Sequence, residues 1–180
     1  MPDAKNSQRA SKYQAQRAQY ADAIAVNPVV NNPRLAELTT WDGPWAGLKV
    51  VVIGLGTSGD AAVDVLAQKG AHITAIDAQD TQEKRERIRI YQEAYGNVTG
   101  LFGEEYMECV PRVDDQDPDV IVTSPGIRPD SLVMLDAYER GIQIWSEIEL
   151  AWRLNQRQGR AVPDGNQWEN YDRGHGRFDS

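Results

Sequence analysis

The stretch Lys49 to Asp77, K-V-V-V-I-G-L-G-T-S-G-D-A-A-V-D-V-L-A-Q-K-G-A-H-I-T-A-I-D, limits what this chain can fold into more than any other. Val50 to Ile53 are apolar without alternation, the pattern of a strand buried on both faces. Gly54, Gly56 and Gly59 follow at G-x-G-x-x-G spacing. The next segment is amphipathic. Asp60, Asp64 and Gln68 share one stripe, and Ala61, Ala62, Val65 and Leu66 are expected to face the other way. Gly70 ends the helix with a residue that tolerates positive φ, and Ile73 to Ile76 form a second apolar strand closing on Asp77. The expectation is a strand, a tight glycine turn, a helix, a second strand and an acid at that strand's tip.

Such a turn has a definite chemistry. Gly54 permits a sharp reversal, Gly56 keeps side chains away from an approaching ligand, and Gly59 lets helix and strand pack closely. The helix aims its unpaired N–H groups and the positive end of its dipole at whatever occupies the turn. An anion is favoured there, either a dinucleotide pyrophosphate or another phosphorylated ligand. The spacing alone does not choose between them.

The rest of the chain narrows the class. It has 180 residues and a formal net charge of −8, with no basic stripe for neutralising nucleic-acid phosphates. Cys109 is its only cysteine, so no intrachain disulfide can form. No apolar run is long enough to cross a membrane, and the N-terminus lacks the apolar core of a signal peptide. A cytoplasmic protein without nucleic-acid or membrane partners is expected.

Further along, strands and helices alternate. Residues 1–40 read as a polar extension, either solvated or a docking arm, with a helix over Ser11–Ala25 broken by Asn27-Pro28 and Asn32-Pro33. Trp41 and Trp45 flank a turn and are expected to pack it onto the sheet edge. Thr81 to Tyr95 reads as a helix with Ile88, Tyr91 and Ala94 or Tyr95 inward and Glu83 to Arg89 as a solvated face. Asn97 to Phe102 reads as a short strand. The acidic loop Cys109–Asp119 lacks the glycine and distal glutamate of a calcium loop, so no metal is expected. Val120 to Thr123 is a buried strand running into Ser124-Pro125-Gly126, on the rim where open α/β sheets bind ligands. Asp130 or Ser131 caps the following helix, whose Val133, Met134 and Tyr138 face the sheet; Gly141 stops it. Ile142 to Trp145 is a last strand, and Ser146 caps a helix over Glu147–Leu154, with Glu147 serving the dipole rather than catalysis. His72 and His175 have no partner in sequence that suggests a role. The fold class is therefore α/β, a three-layer Rossmann-like domain with a mainly parallel sheet over residues 41–155, between the 1–40 extension and an irregular 156–180 tail.

Three stretches together resemble one family: G-L-G-T-S-G at Gly54–Gly59, T-S-P-G-I at Thr123–Ile127 and S-E-I-E-L at Ser146–Leu150. They are similar to the N-terminal domain of the Mur ligases, in the branch that adds D-glutamate to UDP-N-acetylmuramoyl-L-alanine during peptidoglycan synthesis. The resemblance covers Trp41 to Leu154. It implies a domain that binds the UDP-sugar and not NAD. It implies contacts to phosphates or nucleoside from Gly56, Thr57, Ser58 and Gly59, and a place beside uracil and ribose for Asp77, Ala78 and Gln79. Ser124, Pro125 and Gly126 would form the pocket's second wall. Some family members carry a hydroxyl residue and an arginine where this chain has Ala78 and Gln79, so any ion pair from that arginine is missing. The full-length family uses ATP and magnesium, bound by domains beyond this one, so the resemblance implies no catalytic residue, cofactor or metal in this chain and no ligase activity for it alone. The alternative readings of the glycine turn are the NAD-binding domain of an oxidoreductase, with Asp77 on the ribose hydroxyls, and a regulatory or interaction module that keeps the fold and binds no nucleotide.

In the family a P-loop follows the I-E-L helix, yet the chain contains no G-K-S or G-K-T. Reading the codons of Asp164 to Asp172 one base later permits T-G-T-N-G-K-T-T-T, because Trp168 becomes glycine and Glu169 lysine. A frameshift near Pro163 in the gene or gene model is therefore expected, the alternative being a natural linker or tag.

Overall fold

The apolar run after Leu48 forms β1 (Lys49–Ile53), and the glycine turn leads into α2 (Thr57–Gln68) after a short α1 (Pro33–Glu37). Then come β2 (His72–Asp77), α3 (Gln82–Tyr95), β3 (Val98–Phe102), a 3₁₀ turn (Glu104–Met107), β4 (Val120–Thr123), α4 (Leu132–Glu139), β5 (Gln143–Ser146) and α5 (Glu147–Asn155). These come from a computed structural model, which describes residues 32–155. The expected helix at 11–25 and the tail in which a frameshift is expected lie outside those residues.

The five strands are all parallel, in the order β3-β2-β1-β4-β5. Val51 of β1 pairs with Thr74 of β2 on one side and Ile121 of β4 on the other. The strand order reverses between β1 and β4, which leaves a crevice at their carboxyl ends. β1 is apolar on every residue after Lys49 because both faces are covered. Val50 and Val52 join a cluster with Val63 and Leu66 of α2, Trp45, Trp145 and Leu150. Val51 and Ile53 join a second cluster with Val133, Met134 and Ala137 of α4. Among the described residues the second face has one helix. Val110 and Val113, from the crossover between β3 and β4, fill the rest of it. Each fully buried aliphatic side chain contributes roughly 1.5–3 kcal/mol.

Several expectations shift. The inward stripe of α2 is Gly59, Ala62, Val63, Leu66 and Ala67, while Ala61 is exposed and Val65 partly buried. The close approach of Gly59 to the sheet sets the phase, and i+3, i+4, i+7 and i+8 follow from it. On α3, Ile88 is buried and Tyr91 half-buried, but Ala94 and Tyr95 are exposed. That helix packs against the edge strand β3. Its expected solvated face, Glu83 to Arg89, is partly a seam with α2, since the Arg87 guanidinium reaches Asp60 Oδ2 at 2.7 Å; beyond it the hydroxyls of Tyr91 and Tyr95 donate to Asp60 and Asp64, each at 3.0 Å.

Trp45 is buried, with its ring edge-on to Trp145 at 6.4 Å. Trp41 is 46% exposed and carries the Lys69 ammonium 3.6 Å above its ring, so it does not pack the turn onto the sheet. Asn32-Pro33 starts a helix rather than merely ending one: the Asn32 side chain accepts the Arg34 N–H, and proline fits the first turn. Leu35 and Leu38, from the stretch expected to be polar, are buried in the first cluster. Ser131 sits at the N-cap of α4, but its hydroxyl makes no capping bond. Ser146 does cap, accepting the Glu149 N–H at 3.1 Å.

The acids of the crossover loop are structural. Asp119 accepts the Lys49 N–H at 2.8 Å, and Asp117 accepts from Arg140 at 2.5 Å. Asp114 and Asp115, both at positive φ, make the turn between Val113 and Gln116. Among the described residues no group of three His, Cys, Asp or Glu could hold a metal ion, and no helix is long and apolar enough to cross a membrane.

Candidate functional site

The glycine turn is held from three sides. The Gly54 N–H donates to Ile76 O at 2.8 Å, continuing the β1–β2 ladder past the end of the strand. The Leu55 N–H donates to Asp77 Oδ2 at 2.8 Å. The Ser124 hydroxyl donates to Gly54 O at 3.0 Å, so the Ser-Pro-Gly turn after β4 touches the glycine turn after β1. Gly54 has φ of +89°, a conformation that side chains rarely adopt.

Gly56 and Gly59 do opposite things. A Cβ on Gly59 would lie 1.8 Å from Gly54 O, so this position must be glycine for the helix to start where it does. A Cβ on Gly56 would meet nothing within 4 Å. That space is open to a ligand. Gly56 is the N-cap of α2 and offers no side-chain cap, and the first intrahelical bond is the Asp60 N–H to Gly56 O at 2.9 Å. The amides of Thr57, Ser58 and Gly59 precede it, the arrangement that attracts an anion.

Asp77 is 8% exposed, and its carboxylate is heavily used. Oδ1 accepts the Gln79 N–H at 2.8 Å, while Oδ2 takes the Leu55 N–H and the Lys84 ammonium at 2.7 Å. Burial pushes the Asp77 carboxyl up, but the bonds from Lys84, Gln79 and Leu55 outweigh it and hold it below the ordinary carboxylate value. Asp77 thus ties the tip of β2 to the glycine turn and to α3.

A cleft of about 390 Å³ opens beside the turn, lined by Leu55, Gly56, Thr57 and Asp60 on one side and Glu83, Lys84 and Arg87 on the other. Of the site residues expected from sequence, Gly56 and Thr57 line it. Ser58 is half-buried, Gly59 lies beneath the turn, and Ala78 and Gln79 are exposed on the loop beyond β2. Ser124 is half-buried against the glycine turn, with Pro125 and Gly126 exposed on the same rim, and a Cβ on Gly126 would also meet open space. The wall from α3 escaped the sequence reading, which took its charges as a solvated face. The available signal was phase: Lys84 and Arg87 precede Ile88 and Tyr91 on the side that turns toward α2.

A domain described as the Mur ligase MurD-like N-terminal domain matches residues 48–146, more than half of the chain. The chain belongs to the Mur ligase family. It is similar to the UDP-N-acetylmuramoylalanine–D-glutamate ligase of Leifsonia xyli, 35% identical over 132 residues, covering 73% of this chain and 24% of the relative. The ligase of the same name from Thermobifida fusca is 38% identical over 108 residues, covering 60% of this chain and 22% of that protein. This Mur ligase domain therefore spans about a quarter of the length of the curated relatives it matches. Among solved structures, a 5-ketofructose reductase from Gluconobacter (TM-score 0.39, covering 62% of this chain and 49% of the other) and L-tryptophan dehydrogenase from Nostoc punctiforme (TM-score 0.40, covering 74% and 35%) are each 16% identical.

Proposed function

We propose that this domain holds the UDP portion of UDP-N-acetylmuramoyl-L-alanine for a ligase that adds D-glutamate in peptidoglycan synthesis. The observation that carries this reading is the uncapped amino end of α2, opening through Gly56 onto a cleft, in a chain whose relatives bear the name of that ligase. The diphosphate sits over the amides of Thr57 and Ser58, where the helix dipole and N–H groups stabilise negative charge. Gly56 lets the phosphate approach the backbone. Asp77, Ala78 and Gln79 flank the uridine on one side, and Ser124, Pro125 and Gly126 on the other.

The ligase step joins the L-alanine carboxylate to the amine of D-glutamate and consumes ATP with magnesium. The described residues do not fit that part of the work: they contain neither a phosphate-cradling lysine loop nor a metal-binding cluster. In this reading the domain binds and orients the sugar nucleotide in the cytoplasm, and other segments of the ligase perform the chemistry. The NAD alternative asks Asp77 to hold a ribose diol, yet three donors already occupy its carboxylate.

Calorimetric titration of the purified chain with UDP and, separately, NADH tests the assignment. Heat from UDP and none from NADH is the expected result; the reverse would replace this function with a dinucleotide one. The purified chain is also expected to release no D-glutamate-dependent ADP.

A further inference from the structure

The cleft holds two cations, and their bonding differs. The Arg87 guanidinium reaches Asp60 Oδ2 at 2.7 Å and stands 4.0 Å from Glu83. It serves the seam between α2 and α3. The Lys84 ammonium contacts Asp77 Oδ2 at 2.7 Å and Gln79 Oε1 at 3.3 Å. Those contacts engage two of its three protons. Its side chain is only 18% exposed, so the charge is held in place and partly out of water, and the residue itself lines the cleft beside Gly56 and Thr57.

We infer that Lys84 is the cation that grips a phosphate of the bound nucleotide, donating its third proton across the cleft while it keeps Asp77. This deepens the UDP-sugar reading above and rests on it. Three groups fix the ammonium's position. Asp77 is itself anchored by the Leu55 and Gln79 amides, so it remains a carboxylate when the lysine turns part of its charge to a ligand. Gln79 steadies the ammonium from the loop. The N-cap bond from Lys84 N–H to Thr81 Oγ1 at 3.3 Å places the residue in the first turn of α3, which directs its side chain back toward the β2 tip. The ligand's phosphate would then lie between the amino end of α2 and a single desolvated lysine. The pair supplies negative-charge recognition that neither Ala78 nor exposed Gln79 can.

The test compares UDP with uridine on the full chain, for wild type, Lys84→Met and Arg87→Met, by calorimetry at two salt concentrations. A charge-assisted hydrogen bond of ordinary strength corresponds to roughly 10- to 100-fold in affinity. Lys84→Met is therefore expected to weaken UDP by that factor, leave uridine within about twofold and flatten the salt dependence, with Arg87→Met milder on UDP. Lys84→Arg, which keeps the charge, should recover part of the loss. Equal losses for UDP and uridine, or none for either, would overturn the inference while leaving the UDP reading intact. Wild type that binds neither compound would overturn the UDP reading itself.

Discussion

Gly59 and Gly54 touch so closely that no side-chain carbon fits between them: a Cβ on Gly59 would stand 1.8 Å from the Gly54 carbonyl oxygen. Neither atom can retreat. The Gly54 carbonyl also accepts the Ser124 hydroxyl, and Gly59 lies buried in the first turn of α2. Gly59→Ala should cost on the order of 3–5 kcal/mol, seen as a collapse of the thermal transition in circular dichroism.

Gly56→Ala should behave in the opposite way. Its φ of −80° suits any residue, and the new methyl meets open space. Stability should change by under about 1 kcal/mol, whereas UDP affinity should fall roughly tenfold or more because the methyl fills the space the ligand's phosphate needs. Melting curves and calorimetry on the same sample would separate the two effects.

Asp77 should make stability depend on pH in a defined direction. Its folded-state carboxyl sits below the ordinary value, so the folded protein releases that proton more readily than the unfolded chain does. The stabilisation is complete above the unfolded value of about 3.9 and is lost as pH falls through the lower folded value. Urea midpoints should therefore drop on acidification below about pH 4, and Asp77→Asn should flatten that part of the curve. Asp77→Ala at neutral pH should cost about 3 kcal/mol, since it strands the Leu55 N–H and Lys84 together.

Tyr91 should ionise late. Burial, and then the hydrogen bond to Asp60, push its hydroxyl up to about 12. In an alkaline titration followed by ultraviolet absorbance, Tyr91→Phe should remove one tyrosinate that forms near that pH. Loss of a component titrating near 10, the free-tyrosine value, would contradict the assignment.

Arg153 ties α5 to α1. Its guanidinium donates to Leu35 O at 3.1 Å and Leu38 O at 3.2 Å, pairs with Glu149 and lies 4.2 Å above the Trp145 ring. Arg153→Ala should cost about 2 kcal/mol and loosen α1, read as faster amide exchange at Leu35 and Leu38. Arg153→Lys should rescue little, because an ammonium cannot fork to two carbonyls while stacking on a ring.

The layers and the glycine turn were legible because their signals are local and redundant. Four consecutive apolar residues before G-x-G-x-x-G, and Gly70 and Gly141 at positive φ after helices, leave few alternatives. What stayed hidden depended on contacts distant in sequence. Nothing around Lys84 announces that it reaches back to Asp77, and the separation of 22 positions from Leu55 to Asp77 conceals their bond. The phase of α2 slipped because Ala61, Ala62 and Val65 are all apolar, and only the depth of Gly59 selects which of them turn inward. Trp41 and Trp45 look alike on paper. Their different fates come from Trp145, 100 residues away from Trp45, which gives only one of them an aromatic partner.

The three hydrogen bonds that clasp the glycine turn, from Gly54 to Ile76, Leu55 to Asp77 and Ser124 to Gly54, all join groups of the protein itself and need no ligand atom. The conformational entropy of ordering that loop has already been met by folding. Association at this site then asks only that two surfaces already in shape meet and exchange water, so it should proceed in a single kinetic phase without a slow rearrangement. A domain of this design would act as a rigid cradle, its turn already set in the shape it keeps.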